Sequence, residues 1–380
     1  MHIVVAPDKF KGSLTAPEVC RGIARGIRRY DDRAEITSLP LADGGEGSLD
    51  LLIPLLELDK VRVIVHDPLL RPVEAYYGRT GDVAYVELAK ASGLALLAEE
   101  ERNALRTTTF GTGELIRHAT EQGVREVYLL IGGSATNDAG FGMAQAVGYR
   151  FLDSSGTPVS PVGENLGQVA AIESEDGGPY RNEVRVRVIS DVDNPLYGPQ
   201  GAAYVYGPQK GASPEAIARL DQGLRHASSL LSALAGREIA TIPGAGAAGG
   251  VGAGAMAFLG AELLPGISTI MRLSGASTAI ERADLVISGE GKVDEQTLHG
   301  KVVRGVGEVC RTHRVPLGVI CGTLAANESI LHQLGVWRAY AVRDQSMTLA
   351  EAMHRAEERI EALAYQLMKD FQRKKSKGFK

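Results

Sequence analysis

Aromatic residues make up only 5% of this 380-residue chain, and there is a single tryptophan. Cysteine is scarcer still. Cys20, Cys310 and Cys321 form no CxxC pair, and their odd number argues against a disulfide framework and fits a reducing compartment. Positive charge is not in excess: the net charge is −5. The chain therefore has no global electrostatic reason to seek nucleic acid or an anionic membrane. Long hydrophobic runs are missing. The uncharged stretch from Pro243 to Ala261 is dominated by glycine and alanine, a poor membrane span. The N-terminus is apolar for only a few residues before Asp8, unlike a secretory signal. A cytoplasmic protein without nucleic-acid or membrane partners is expected. The eight histidines lack metal-ligand spacing, which leaves zinc chemistry no footing. No GxxxxGK[ST] loop occurs, since Glu295 stands where the glycine before Gly300-Lys301 is needed. A protein-kinase catalytic loop is absent too.

What is present is a globular balance of 44% apolar and 23% charged residues, in a chain long enough for two domains. The 46 glycines suggest tight turns and helix starts of the kind where phosphates approach main-chain N–H groups. The chain opens on a strand at Ile3-Val4-Val5 and a helix start with Thr15 as N-cap and Glu18 three residues on. A second strand–turn–helix unit runs through Glu35–Leu39 and Asp43–Ser48. After Val61 the rhythm changes to closely spaced strands, Val61–Val65, Val73–Tyr77 and Val83–Val86, which is hairpin grammar. Alternation of strand and helix resumes near Ala283 and closes on an amphipathic helix bearing Leu349, Met353, Ala356, Ile360, Leu363 and Leu367. The basic run Arg373–Lys377 reads as a solvated, frayed tail. These elements imply an α/β protein: one doubly wound parallel-sheet domain made of residues 1–60 and 284–380, with a mixed α/β domain, 61–283, inserted into it. Ligands in such sheets sit beyond the carboxyl ends of the strands.

Acid-and-glycine turns follow several predicted strands. Asp43-Gly44-Gly45-Glu46-Gly47-Ser48 places two carboxylates at a helix mouth whose N–H groups can hold an anion; a plain capped turn is the simpler alternative. Gly132-Gly133-Ser134-Ala135-Thr136-Asn137-Asp138 follows a fully apolar strand and offers a cradle for carboxylate or phosphate. In Ser190-Asp191-Val192-Asp193-Asn194-Pro195, two aspartates and an amide suit a magnesium site or a general base, against an Asx turn before proline. Alternating spacing would aim Asp191 and Asp193 the same way if extended. Gly289-Glu290-Gly291-Lys292-Val293-Asp294 sets a lysine beside acids, able to neutralise phosphate while the acids hold a metal; a solvated loop is the rival. Gly244-Ala245-Gly246-Ala247-Ala248-Gly249 matches GxGxxG, but Pro243 interrupts its approach and no acid lies at dinucleotide-site distance. As a helix start it can hold an anion or pack tightly.

Together these segments resemble the bacterial type I glycerate kinase family. The resemblance rests on Ala6-Pro7-Asp8-Lys9-Phe10-Lys11-Gly12-Ser13-Leu14, Leu41–Gly47, Gly132–Asp138, Ser190–Leu196, Gly198-Pro199-Gln200-Gly201-Ala202, Gly244–Gly254 and Gly289–Asp294, spread over nearly the whole chain. Lys9 stands where the pattern has a small hydroxyl residue. The resemblance implies a flavodoxin-like domain with an insertion, ATP and Mg2+ as cofactors, and D-glycerate as acceptor, phosphorylated at the 2-hydroxyl to 2-phosphoglycerate, with 3-phosphoglycerate left open. A homodimer is also left open.

Expected roles follow. Asp191, then Asp43, is the candidate to accept the hydroxyl proton, with Lys292 as the third catalytic residue. Substrate contacts are assigned to Lys9, Lys11, Ser13, Ser134, Thr136, Asn137 and Asp138. Nucleotide contacts are assigned to Gly244, Gly246, Gly249, Gly250, Gly289 and Gly291. Magnesium is given to Asp193, Glu290 and Asp294, directly or through water. The rivals are an NAD-dependent hydroxy-acid dehydrogenase and a non-catalytic hydroxy-acid sensor.

Overall fold

The computed structural model describes residues 1–174, 184–298, 301–344 and 346–376. In chain order the strands of its two main sheets are β1 (His2–Val5), β2 (Glu35–Ser38), β3 (Asp59–His66), β4 (Pro72–Thr80), β5 (Val83–Glu87), β6 (Glu126–Leu130), β7 (Arg185–Ser190), β8 (Glu262–Pro265), β9 (Leu285–Ser288), β10 (Leu317–Cys321) and β11 (Val336–Ala341). The principal helices are α1 (Ala16–Tyr30), α2 (Ser48–Leu55), α3 (Phe110–Glu121), α4 (Pro214–Ala235), α5 (Ala247–Leu259), α6 (Val302–His313) and α7 (Ala356–Lys375). They divide into two compact units, one of residues 1–43 with 266–380 and one of residues 44–265.

The first unit is built on a five-stranded sheet in the order β11-β10-β9-β1-β2, with every pairing parallel. Parallel strands covered on both faces should be apolar throughout, and Ile3, Val4, Val5, Leu285, Val286 and Ile287 are all fully buried. Helix α1 starts with the capping box the sequence predicts: Glu18 N–H donates to Thr15 Oγ1, and Thr15 N–H donates to the Glu18 carboxylate at 2.8 Å. It packs against α7, and two glycines permit the approach; a Cβ on Gly26 would lie 2.2 Å from Glu361 O. The C-terminal helix is broken rather than continuous. A short helix, Leu349–His354, with its own Thr348–Glu351 capping box, ends at Arg355 before α7 begins. The basic run is not frayed as far as it is described: Arg373, Lys374 and Lys375 form the last turn of α7, where cations face the negative end of the helix dipole. Lys374 lies over the Trp337 ring, and Lys375 reaches Asp284 at 3.6 Å. Lys377 lies outside the described residues.

The second unit carries a six-stranded mixed sheet, β8-β7-β6-β5-β4-β3. The expected hairpins are there, with β3, β4 and β5 pairing antiparallel, after which β5, β6, β7 and β8 run parallel. Phe141, Tyr149, Phe151 and Phe258 form an aromatic cluster in its core, with the Tyr149 hydroxyl donating to Phe258 O at 2.9 Å. The sequence alone suggests joins at 60/61 and 283/284, whereas packing divides the chain at 43/44 and 265/266. The reason is local: α2 lies on β4 and β5, and the helices Gly266–Leu273 and Ala276–Glu281 pack on α6. All three cysteines are buried free thiols. Among the described residues no helix is long and apolar enough to cross a membrane.

Candidate active site

Numbered by their order within the first unit, its strands run 5-4-3-1-2, so the winding direction reverses between β1 and β9. The crevice at such a switch point is where ligands settle. The loops after these two strands are tied together: Ala6 N–H donates to Ile287 O at 2.9 Å, Asp8 N–H to Gly289 O at 2.8 Å and Ser288 Oγ to Ala6 O at 2.7 Å. This brings Asp8 and Glu290 to one place, with Asp43 after β2 close enough to act on both. Burial pushes the Asp8 carboxyl up to about 7, and the Asp43 and Glu290 charges add to it against the Lys9 N–H bond. Glu290, 4% exposed, is also raised to about 7; burial leads, opposed by the Thr297 hydroxyl and Lys301 and reinforced by Asp43 and Asp294. These carboxylates repel one another in a place that water reaches poorly, an arrangement suited to a cation or a cation-bearing ligand.

The other expected residues of this unit fall around that core. Lys292 is 60% exposed and pairs with Asp294 at 2.7 Å, a bond that holds Asp294 below its usual range. Lys292 stands on a two-residue strand, Lys292–Val293, parallel to Thr323–Leu324. Lys11 is exposed. Ser13 serves the framework, its hydroxyl donating to Met353 O at 3.0 Å. Gly289 is required by packing, because a Cβ there would lie 1.9 Å from Ile320 O; Gly291 sits against Lys11 N. For magnesium, the expected trio does not assemble as a cage. Asp193 belongs to the other unit, and no cluster of three acidic, histidine or cysteine side chains among the described residues could hold a metal ion by itself.

In the second unit the polar loops also follow parallel strands. The turn after Asp43 does hold an anion at its helix start, but the anion is internal. Gly47 and Leu49 N–H donate at 3.0 and 2.8 Å to the buried carboxylate of Glu87, the last residue of β5. That commits the α2 N-terminus to the fold. The loop after β6 packs directly on this turn, since a Cβ on Gly132 would lie 2.4 Å from Gly45 Cα. Asp138, expected among the substrate contacts, is likewise committed. It is fully buried, and its carboxylate accepts from Thr109 N–H (2.7 Å), Thr109 Oγ1 (2.8 Å), Gly140 N–H (3.1 Å) and Gly142 N–H (3.2 Å).

The residues just before Asp138 differ. Thr136 Oγ1 and both amide atoms of Asn137 are buried with no hydrogen-bond partner. Unsatisfied buried polar atoms in a native loop call for a ligand or another explanation. Ser134 Oγ accepts from Lys210 Nζ at 2.7 Å. Asp191 is the first residue beyond β7, half-buried, whereas Asp193 is exposed, so the two do not share an environment. Asn194 donates to Gln200 O at 2.7 Å and accepts from the Tyr206 hydroxyl at 2.6 Å.

The glycine run from Gly244 works by close packing. A Cβ on Gly246 would meet Pro195 O at 2.2 Å, one on Gly249 would meet Thr136 O at 2.0 Å, and one on Gly250 would approach Ala139 Cα at 2.9 Å. Gly244, with φ +88°, faces Val192 O and Leu263. No strand precedes the run, which enters α5 through left-handed residues at Ala248, Gly249 and Gly250. The glycines thus seat α5 against the Thr136–Ala139 loop, and close backbone packing is reason enough for glycine at these positions. Gly249→Ala is expected to cost about 2–5 kcal/mol, from left-handed strain and overpacking together, and to raise the KM for substrate by displacing Thr136. Thermal denaturation and steady-state kinetics measure both.

Sequence reasoning passes over two residues that the fold brings forward. Asp8 lies inside the Ala6–Leu14 motif but as a lone acid among lysines; its signal is position, directly after the central strand at the switch point. Lys210, in Gly207-Pro208-Gln209-Lys210-Gly211, gives no sequence sign that it is buried.

Polar loops beyond the carboxyl ends of parallel strands are where α/β enzymes bind small molecules. The family profile described as "Glycerate kinase family" matches residues 3–372. A glycerate kinase of Halalkalibacterium halodurans is 43% identical over 364 residues, 95% of this chain and 96% of that protein. The glycerate 2-kinase of Escherichia coli K12 is 41% identical over 362 residues, 95% of each. A crystal structure described as glycerate kinase 2 from Salmonella typhimurium LT2 superposes with TM-score 0.83 at 39% identity, covering 98% of this chain and all of that one. The chain belongs to the glycerate kinase family and is an enzyme of that family.

Proposed function

We propose that this enzyme transfers the γ-phosphoryl group of ATP to the 2-hydroxyl of D-glycerate, giving 2-phosphoglycerate, with magnesium accompanying the nucleotide. The observation that carries the reading is the cluster of Asp8, Asp43 and Glu290 at the switch point, where the raised carboxyls of Asp8 and Glu290 gain from a cation. Magnesium is commonly held by one or two carboxylates with the remaining positions filled by phosphate and water. The oxygen donors fit such an ion even though they make no cage. Glu290 and Asp8 are the residues assigned to it, because Asp294 is already paired with Lys292. When bound, the ion offsets charge on the transferred phosphoryl group. Lys9, Lys11 and Lys292 stand on the same loops and add positive charge toward phosphate oxygens. In the other unit, Thr136 and Asn137 supply the unpartnered groups that hold glycerate oxygens. Asp191, beyond β7, accepts the hydroxyl proton as the phosphoryl group arrives. The choice of the 2-hydroxyl follows the Escherichia coli relative, whose name specifies that position.

Incubation with ATP, Mg2+ and D-glycerate, followed by phosphorus NMR, tests the reading. The expected product is 2-phosphoglycerate with equimolar ADP, and chelation by EDTA is expected to abolish turnover. Formation of 3-phosphoglycerate would overturn the regiochemistry; undiminished turnover in EDTA would overturn the metal. No observation favours a dehydrogenase, and no NADH is expected to form from glycerate and NAD.

A further inference from the structure

Lys210 closes a short 3-10 turn, Pro208–Lys210, and is 2% exposed. Its ammonium donates to Ser134 Oγ at 2.7 Å and to Thr136 O at 2.6 Å. Both acceptors are neutral, and Lys210 makes no ion pair among the described residues. Asp138 is the one acid that acts on it, and that carboxylate is already occupied by Thr109, Gly140 and Gly142. Burying an ammonium without a paired anion is costly, and burial accordingly drags this one down to about 7. A methionine would fill the volume without that cost. The two atoms that Lys210 grips flank the unpartnered groups, Thr136 Oγ1 and the Asn137 amide. One buried loop thus combines a cation behind it that makes no direct ion pair with a hydroxyl, an amide donor and an amide acceptor, the last three unsatisfied.

We infer that Lys210 is the positioning residue of a subsite for the α-hydroxy-carboxylate end of the substrate, fixing the Ser134–Asn137 loop and supplying the positive charge that a bound carboxylate neutralises. The Asn137 Nδ2 and Thr136 hydroxyl donate to the carboxylate, and Asn137 Oδ1 accepts from a substrate hydroxyl. An acceptor beside two donors, backed by a cation, selects a hydroxy acid over a simple polyol or a phosphate. This rests on the reading of the enzyme as a glycerate kinase.

The experiment uses full-length Lys210→Met, Lys210→Gln and Asn137→Ala, assayed with ATP, Mg2+ and D-glycerate. In wild type, tartronate without nucleotide is expected to raise Tm saturably. Lys210→Met is expected to raise the KM for glycerate at least about 10-fold, equivalent to about 1.4 kcal/mol, with the KM for ATP within about 2-fold and the tartronate shift lost. Lys210→Gln keeps two donors without charge and is expected to follow the methionine variant; it also supplies the answer if Lys210→Met does not fold. Asn137→Ala is expected to raise the KM for glycerate with the KM for ATP held. A wild type that forms no phosphoglycerate but still binds tartronate overturns the kinase reading and not the subsite. An active wild type whose Lys210 variants keep the glycerate KM and the tartronate shift overturns the subsite. Equal rises in both KM values would mark Lys210 as general framework and overturn it too.

Discussion

Replacing Asp191 with alanine is expected to lower kcat by about 10²–10⁴-fold, the usual range for loss of a positioned general base. The circular dichroism spectrum and Tm should be almost unchanged. Asp191 stands on the first residue past β7, in a half-buried position at the carboxyl end of a parallel strand. Its neighbour β6 delivers the loop with the unpartnered Thr136 and Asn137 groups. An acid that acts only on the proton in flight should leave binding intact, so both KM values are expected to move by less than about 3-fold. Asp191→Asn should match the alanine variant, since an amide cannot take the proton. Near-normal turnover in either variant would withdraw Asp191 as base and pass the role to Asp43.

Asp8→Asn is expected to separate stability from activity. A carboxyl whose folded-state pKa lies above its unfolded value keeps its proton longer in the fold than in the open chain. The stability it contributes is present below about pH 4 and is lost as pH rises through about 7. Asp8 and Glu290 both behave so. At pH 8, in chelator and without nucleotide, both carboxyls carry unfavourable charge beside Asp43. Removing the Asp8 charge there should stabilise the fold by an amount on the order of 2–4 kcal/mol, since each tenfold change in proton affinity between fold and open chain corresponds to about 1.4 kcal/mol. At pH 5, where the native carboxyl is protonated, the gain should shrink because less charge is removed. The same variant should lose at least about 100-fold in kcat/KM, because a carboxylate assigned to hold the cation that offsets phosphoryl charge acts through its own negative charge. Scanning fluorimetry at the two pH values and steady-state assays give the answer. A variant no more stable at pH 8, or one fully active, contradicts the assignment of this cluster. A gain in stability with a loss of activity is the signature of strain kept for function.

What could be read from the residues was chiefly local chemistry. The Thr15–Glu18 capping box, the hairpins after Val61 and the apolar parallel strands each follow from a few adjacent side chains, and each is present. The polar turns at strand ends were legible because their glycines and acids exceed what a turn needs. Which acids remain available was not legible. Asp138 reads as a substrate contact in sequence, but its carboxylate is taken up by the Thr109, Gly140 and Gly142 N–H groups. The Gly244 run reads either as an anion-holding helix start or as tight packing, because sequence does not show that a glycine is needed to admit Thr136 O or Pro195 O. Lys210 is the converse: an unremarked lysine whose burial depends on a loop 76 residues away. The domain joins shifted for a similar reason, as an amphipathic helix such as α2 does not declare which sheet it will cover. The break at Arg355 interrupts a hydrophobic stripe that carries on in register on both sides.

The central place of β1, hydrogen-bonded to β2 on one side and β9 on the other, bears on how the chain is made. On the ribosome, β1 precedes its second neighbour by the whole of residues 44–265. An apolar strand must therefore wait with one edge open while an intervening body forms, a delay in which strand edges invite wrong partners. A circular permutant that links residue 380 to residue 1 and opens the chain at the 265/266 boundary would place β9, β10 and β11 directly ahead of β1 and remove that wait.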